Sequence, residues 1–258
     1  MKPLHLCLSP RPPRKSPGHY AFWITLLLAV AALMAAPTNP TGKTRLADGF
    51  DFPVGKPNGD NYYKSRGFRA GYHLGEDWNG IAGGNSDLGA PVYVIAHGLV
   101  VFARDMGRSW GNLVIVRHEF LEGSETKTVD SVYAHLDKIL VKTDQQLMRG
   151  DQVGTIGTAH GTYPAHLHFE IRKNLGIGYN QRGFAKDLSN YFLPTPFILA
   201  HRTLTGGGRT VPVPIGTFGT EATTPHPTNP QASPSPTPKL EKPSPEPKFR
   251  VNRYDDSP

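Results

Sequence analysis

Three short stretches of this chain place histidine and acidic side chains at spacings that suit metal binding and proton transfer. In the first, His73 and Asp77 lie four residues apart with Gly75 between them. We expect the glycine to allow a turn in which both side chains converge on one point. Imidazole nitrogen and carboxylate oxygen are good Zn²⁺ ligands, although this pair alone also fits two surface residues of a loop.

The second stretch contains two histidines separated by one residue. Residues i and i+2 of a strand face the same side, so His166 and His168 point one way while Leu167 and Phe169 point into the core. Two imidazoles held in this way can approach one ion, and the alternative is a pair of solvent-facing histidines on an edge strand. Glu170 lies on the same face, where it either orients a histidine or is simply solvated.

The third stretch is a predicted strand that carries His135. A single histidine in a strand is more often structural than catalytic, so a catalytic role for His135 is supported only in combination with the other two motifs. Tyr133 alternates with it, and we expect both on one strand face with Tyr133 able to hydrogen-bond a substrate. Trp110 and Asn112 either border the groove or serve packing and turn chemistry, and His160 lies in a loop that either contacts substrate or is plain surface.

Short β-rich segments must position these residues. Five runs of β-branched and aromatic residues are bounded by Gly, Asp or Asn, which is a strand pattern with close turn signals. We therefore expect an all-β, antiparallel sheet domain with a substrate groove, and one short helix that begins near Pro196. The predicted strands lie within Pro91–Ala103, Gly111–His118, Val129–Leu136, Asp151–Thr158 and His166–Arg172.

The two ends of the chain differ in composition from its middle. Residues 1–36 combine a basic start with the apolar run Ala21–Ala36, which is typical of a secretory signal peptide or an uncleaved signal-anchor helix. We assign residues 37–47 to a linker and 48–203 to the folded domain. Residues 204–258 hold nearly half of the 25 prolines and are predicted to be a disordered tail.

The overall composition excludes several classes of protein. The chain has 258 residues, of which 38% are hydrophobic, and a formal net charge of +7. Much of that charge lies in the first twenty residues, so no basic stripe on the folded part favours nucleic-acid binding. A single Cys excludes a disulfide framework, a Cys-based zinc finger and an iron–sulfur cluster, and the negative mean hydropathy excludes a polytopic membrane protein.

The three motifs together are more specific than each alone. HxGxD, then YAHL, then HLHFE, in this order within one β-rich domain, resembles the lysostaphin/LytM-type zinc metallopeptidases. PVYVIAHGLVVFARDMGRSWGNLVIVRH is similar to the paired central strands of that family, and PAHLHFEIR to its terminal motif. The resemblance covers about Phe52 to Arg172.

This resemblance implies a role for each of five residues. His73, Asp77 and His168 would be the zinc ligands, and His135 and His166 would be catalytic without binding the metal. Two histidines and one carboxylate leave the fourth tetrahedral position open for water, as a catalytic zinc site requires. Neighbouring imidazoles have a suitable pKa for acid–base chemistry, and spacing does not divide the roles of these two.

The expected function is that of a zinc endopeptidase that cuts peptide stems or cross-bridges of bacterial peptidoglycan. We expect an exported monomer in the periplasm or cell envelope, with contact to a membrane only through an uncleaved N-terminal segment. Two rival hypotheses remain open. The domain could bind peptidoglycan or activate a partner hydrolase without cutting, or the protein could be structural with the Pro-rich tail as its functional part. The scissile bond, the role of the tail and a latent form are also open.

Overall fold

The computed structural model describes residues 40–219, which fold around antiparallel strands. Within this range there are twelve strands and one helix, labelled in chain order. They are β1 Thr41–Arg45, β2 Tyr62–Arg66, β3 Glu76–Gly80, β4 Pro91–Tyr93, β5 Gly98–Asp105, β6 Asn112–Glu122, β7 Glu125–Ile139, β8 Gln146–Leu147, β9 Gln152–Ile156, β10 Leu167–Arg172, β11 Tyr191–Phe192, α1 Pro194–Ala200 and β12 Thr210–Pro214.

Ten of these strands form one sheet, and β1 and β12 form a separate two-stranded sheet. The main path of the large sheet is β2-β3-β10-β7-β6-β5-β8, with β11 beside β10, and with β9 joining β4 to β7. Every strand pair is antiparallel. The predicted all-β, antiparallel class is therefore confirmed for the described part of the chain, and α1 begins two residues before the predicted Pro196.

Alternating burial explains why the sequence forms the central strands. On β10, Leu167 and Phe169 are fully buried in the main hydrophobic cluster with Phe50 and Val116. The opposite face of β5, β6 and β7 buries a second, smaller cluster that includes Ile115. Because both faces are covered, these strands read in the sequence as nearly continuous apolar runs.

Strand order brings the three polar motifs together. β10 lies between β3 and β7, and its register sets His168 directly opposite Asp77 on β3 and Ala134 on β7. His135 follows Ala134 and is therefore beside the same point. The motifs are separated by up to 95 residues in sequence but lie on, or directly before, three adjacent strands.

The sheet formed by β1 and β12 corrects the domain limits predicted from the sequence. β1 lies in the predicted linker 37–47 and β12 lies in the predicted tail 204–258, and they pair from Thr41↔Pro214 to Arg45↔Thr210. Val213 is fully buried. Burial of apolar side chains and the two-stranded ladder therefore make these segments part of the folded domain. Neither segment has the long alternating pattern of apolar and polar residues that predicts a strand.

A buried arginine ties the second of these strands to the sheet. The Arg117 side chain makes two hydrogen bonds to the Asp130 carboxylate, at 2.6 and 2.7 Å, and its Nη1 donates to the Pro214 carbonyl oxygen at 2.7 Å. Buried charged groups require such partners, because an unpaired buried charge is strongly destabilising.

Two of the predictions from the sequence lie outside the described residues. These are the N-terminal signal peptide or anchor (residues 1–36) and the tail beyond residue 219. Among residues 40–219, no helix has the length and apolar character needed to cross a membrane.

A pair of substitutions on β12 tests the corrected domain limit. Val213→Asp places a charge at a fully buried position and should lower the free energy of unfolding by several kcal/mol, whereas Thr210→Asp, at an exposed position of the same strand, should change it by less than about 0.5 kcal/mol. Urea unfolding of the full chain measures both values. Equal, negligible effects would show that the segment is an unfolded tail, as the sequence suggested.

Candidate functional site

The structure brings the three predicted metal ligands to one point. His73 Nε2 lies 2.9 Å from Asp77 Oδ1 and 3.0 Å from His168 Nδ1, and His168 Nδ1 lies 2.9 Å from Asp77 Oδ1. Atoms that share a tetrahedral zinc at about 2.0–2.1 Å are roughly 3.3 Å apart, so the observed triangle is slightly smaller than that of a zinc site. All three residues are buried, and they form the one group of this kind found among residues 40–219.

The outer contacts of the two rings indicate which nitrogens carry protons. His73 Nδ1 lies 2.8 Å from the Gly67 carbonyl oxygen, and His168 Nε2 lies 2.9 Å from Glu170 Oε1. Both oxygens only accept hydrogen bonds, so these two nitrogens are protonated in the neutral rings. When both rings are neutral, His73 Nε2 and His168 Nδ1 direct lone pairs toward each other and toward Asp77 Oδ1. Three converging lone pairs repel one another and fit a divalent cation.

The electrostatics of the cluster suit cation binding. Burial raises the pKa of Asp77, but the contacts with the His168 and His73 rings outweigh burial and hold the pKa well below its usual range, so the carboxylate is ionised at neutral pH. Burial lowers the pKa of His168, but hydrogen bonds to Asp77 and Glu170 outweigh burial and raise the pKa to about 9. Without a cation His168 therefore keeps a second proton, which a bound cation would displace.

Gly75 has a different role from the one expected. Its backbone packs against β10, where an added Cβ would lie 2.3 Å from the Phe169 carbonyl oxygen and 2.8 Å from Glu170 Cγ. The glycine is thus required for the close approach of the first motif to β10, and it does not adopt a left-handed turn conformation. This close approach allows His73 to reach His168.

The two predicted catalytic histidines lie beside the metal cluster. The ring centroids of His135 and His166 are 4.9 Å apart, and His135 is 5.5 Å from His168. His166 Nε2 lies 3.7 Å from Asp77 Oδ1, which is beyond hydrogen-bond distance. The structure therefore assembles all five predicted residues in one place.

Backbone carbonyls fix the proton positions of both catalytic candidates. His135 Nδ1 donates to the Trp110 carbonyl oxygen at 3.2 Å, and His166 Nδ1 donates to the Pro164 carbonyl oxygen at 2.8 Å. A carbonyl oxygen cannot donate, so Nδ1 carries the proton in each neutral ring and Nε2 is the acceptor. Burial, together with the charges of His168 and His166, lowers the pKa of His135 to about 3, and the ring is neutral at pH 7.

An irregular backbone sets the direction of His135. Its φ of 64° lies in the left-handed region, which costs a non-glycine residue about 1–3 kcal/mol, and strain of this kind clusters at functional sites. The Trp110 carbonyl also accepts a hydrogen bond from the His135 backbone N–H at 2.8 Å. Gly111, the residue after Trp110, has a φ of +65°, and an added Cβ there would lie 2.8 Å from Ala159 Cα. This local geometry holds His135 where a regular strand would not.

A cleft of about 240 Å³ opens over these side chains. Tyr163 forms part of its wall, with its ring centroid 4.8 Å from that of His135. Arg66 is the exposed cation of the wall, at 61% side-chain exposure, with Nη1 3.9 Å from Asp77 Oδ2. The full lining is Arg66, Tyr72, His73, Leu74, Asp77, Ser109, Trp110, His135, Tyr163, His166, His168, Glu170 and Gln181.

The sequence analysis missed several of these lining residues and wrongly placed Tyr133 where it could contact a substrate. Arg66, Tyr72 and Gln181 were not singled out; Tyr72 precedes the first motif directly, whereas nothing near Gln181 indicates its place. The prediction for Tyr133 is wrong: its side chain is fully buried, and its hydroxyl accepts from the Ile95 backbone N–H at 3.1 Å.

Of the remaining candidates, Trp110 and Glu170 line the cleft. Asn112 donates instead to the carbonyl oxygens of Leu136 and Asp137, which is the turn role considered for it. His160 lies 2.8 Å from Asp105 Oδ1 and is outside the lining.

Comparison with known proteins places the same segment in a described family. The family model described as Peptidase family M23 matches residues 73–180, a span that contains every predicted site residue. The murein hydrolase activator NlpD of Salmonella dublin is 34% identical over 105 residues, which cover 38% of this chain and 25% of that protein. The lipoprotein NlpD of Yersinia enterocolitica is 35% identical over 86 residues, which cover 33% of this chain and 78% of that protein.

The extent of these similarities is limited. The chain spans about a quarter of the length of the Salmonella dublin relative. Among solved structures, the catalytic domain of the antimicrobial peptidase lysostaphin from Staphylococcus simulans is 24% identical, with 55% of this chain and 95% of that chain covered and a TM-score of 0.40.

Proposed function

Because the chain belongs to peptidase family M23, we propose that it is a zinc-dependent endopeptidase that hydrolyses peptide bonds of bacterial peptidoglycan. The observation that carries this proposal is the convergence of His73 Nε2, Asp77 Oδ1 and His168 Nδ1 beside two further imidazoles. A structural zinc site is closed by four protein ligands, whereas three protein ligands leave one position open, as hydrolysis requires.

The chemistry divides between the metal and the two neighbouring rings. Bound zinc supplies Lewis-acid chemistry, polarising a carbonyl oxygen and making water a stronger acid. His135 and His166 each hold their Nδ1 proton on a backbone carbonyl, so Nε2 is the atom that accepts a proton from the attacking water and returns it to the leaving amine. The two rings share these tasks.

The names of the relatives support an envelope setting. One matched protein is named a murein hydrolase activator and another a lipoprotein. By extension we propose that this chain is exported and acts on peptidoglycan in the cell envelope. Attachment to the inner membrane would depend on residues 1–36, which lie outside the described part of the chain.

The charge of the cleft favours one class of substrate group. Arg66 lines the cleft with a largely exposed guanidinium, and its one ion-pair contact among the described residues is a long one, 3.9 Å from Nη1 to Asp77 Oδ2. Guanidinium groups bind carboxylates in a two-point geometry. We therefore propose that Arg66 binds a free carboxylate of a stem peptide next to the scissile bond, which favours a cross-link over an uncharged glycine bridge.

A second function is favoured by the name of the Salmonella dublin relative. As a hydrolase activator, the domain would hold a partner without cutting, and its polar cluster would have no chemical task. Incubation of the full chain with purified peptidoglycan, with and without a zinc chelator, separates the two functions. Release of soluble fragments that the chelator abolishes supports hydrolysis, and release only when a murein hydrolase is added supports activation.

Substitutions at the five residues should separate metal binding from proton transfer. His73→Ala and His168→Ala each remove a ligand and should abolish both zinc content and hydrolysis. His135→Ala removes a proton carrier, so zinc should remain while turnover falls by on the order of 10² or more. Zinc is measured by mass spectrometry of the metal, and turnover by the rate of fragment release.

His160→Ala is the matched control for these variants, because His160 is a histidine beside the site that does not line the cleft. It should retain both zinc and turnover. Full zinc content and full activity in either ligand variant would contradict the metal assignment.

Replacing the cation of the cleft tests the proposed substrate class. Arg66→Ala should raise KM about tenfold for a cross-linked stem peptide with a free carboxylate and leave KM nearly unchanged for the same peptide amidated there, because only the first offers a salt-bridge partner. Arg104→Ala, which removes an exposed arginine from β5 outside the cleft, is the control. An equal rise in KM for both peptides would contradict a carboxylate contact.

A further inference from the structure

One buried acid beside the site has no place in the mechanism above. Glu170 lies on β10, two residues after His168, and only 1% of it is exposed. Its Oε1 accepts from His168 Nε2 at 2.9 Å and from Gln181 Nε2 at 3.2 Å, and its Oε2 accepts from Arg172 Nε at 2.6 Å. Each oxygen therefore has a partner, and one of the partners is a proposed metal ligand.

This arrangement determines which nitrogen of His168 can face a metal. A carboxylate that already accepts from Arg172 and Gln181 offers His168 only an acceptor, so the ring must present Nε2–H to it. The lone pair of the neutral ring is then confined to Nδ1, the atom that faces Asp77 and His73. We propose that Glu170 is a positioning residue that holds His168 in the Nδ1-ligating tautomer; this inference rests on the proposed zinc site.

Arg172 holds the carboxylate in place from behind. It is also buried, its Nη1 donates to the Gly178 carbonyl oxygen, and its guanidinium carbon lies 5.8 Å from the centroid of the Trp110 ring. The positive charge offsets the cost of burying Glu170. Gln181, in the segment between β10 and β11, donates to the same oxygen as His168, so Arg172 and Gln181 together fix both oxygens of the carboxylate.

The buried ion pair of Arg117 and Asp130 shows how a purely structural pair differs from that of Arg172 and Glu170. Arg117 and Asp130 satisfy each other through two hydrogen bonds, and the other partners of Arg117 are backbone carbonyls. Glu170 instead gives one oxygen to its arginine and the other to the ring of His168. This division of its two oxygens is what a residue that orients a ligand requires.

Glu170→Gln tests the role with little change in size. The new amide has two possible orientations. If its oxygen faces His168, its NH₂ faces the Arg172 Nε–H, and two donors then meet without an acceptor. If its NH₂ faces His168, Nε2 must accept a hydrogen bond, so the ring proton moves to Nδ1, where the metal should bind. In either orientation, zinc affinity of the full chain should fall by about 10- to 100-fold. The dissociation constant is measured by competition with a chromophoric chelator, and folding by circular dichroism.

Glu119→Gln is the matched control, because Glu119 is a buried glutamate whose carboxylate accepts hydrogen bonds from Thr128 and from no histidine of the described residues. It should bind zinc as the unsubstituted chain does. If folded Glu170→Gln also does so while His73→Ala loses zinc, the positioning role is overturned and the zinc site stands. If His73→Ala keeps full zinc affinity, the proposed function fails and this inference with it.

A measurement on the unsubstituted protein covers the case in which Glu170→Gln does not fold. Long-range ¹H–¹⁵N NMR spectra of the zinc-loaded full chain report the protonation of each ring nitrogen. The inference expects a protonated Nε2 and a metal-bound Nδ1 at His168. The opposite assignment overturns it.

Discussion

The candidate site depends above all on the register between β3 and β10. Antiparallel pairing sets Asp77 directly opposite His168, so a carboxylate and an imidazole on neighbouring strands face the same side. Side chains alternate along a strand, and a slip of one residue would turn Phe169 toward the cleft and His168 into the core. The buried positions of Leu167 and Phe169 make such a slip costly. Hydrophobic burial on one face thus fixes the chemistry on the other.

This register creates an electrostatic problem that a cation resolves. His73, Asp77 and His168 are all buried, and burial of polar groups is costly unless each has a partner. The outer nitrogens of both rings are satisfied by the Gly67 carbonyl and by Glu170, so the inner nitrogens and Asp77 Oδ1 have only one another. Without a cation a second proton on His168 links that ring to Asp77, and a bound cation would take the place of this proton. The strained backbone at His135 adds a further cost at the same place. Several destabilising features in one small region are typical of a functional site.

Part of this arrangement can be predicted from the sequence, and the rest depends on contacts that only the fold creates. Alternation on one strand predicts that His166 and His168 face together, because this depends only on local geometry. The pairing of Asp77 with His168, the close approach at Gly75 and the place of Gln181 in the cleft depend on contacts between distant segments. β1 and β12 were missed for a related reason: TGKTR and TVPVP lack a strong apolar pattern, and their pairing with each other becomes visible only in the fold.

Zinc-edge anomalous diffraction from crystals grown with zinc tests the central claim most directly. The account predicts one anomalous peak bonded to His73 Nε2, Asp77 Oδ1 and His168 Nδ1, with the rings of His135 and His166 close by but not ligating. A peak ligated by His135 or His166, or no peak at this position, would contradict it.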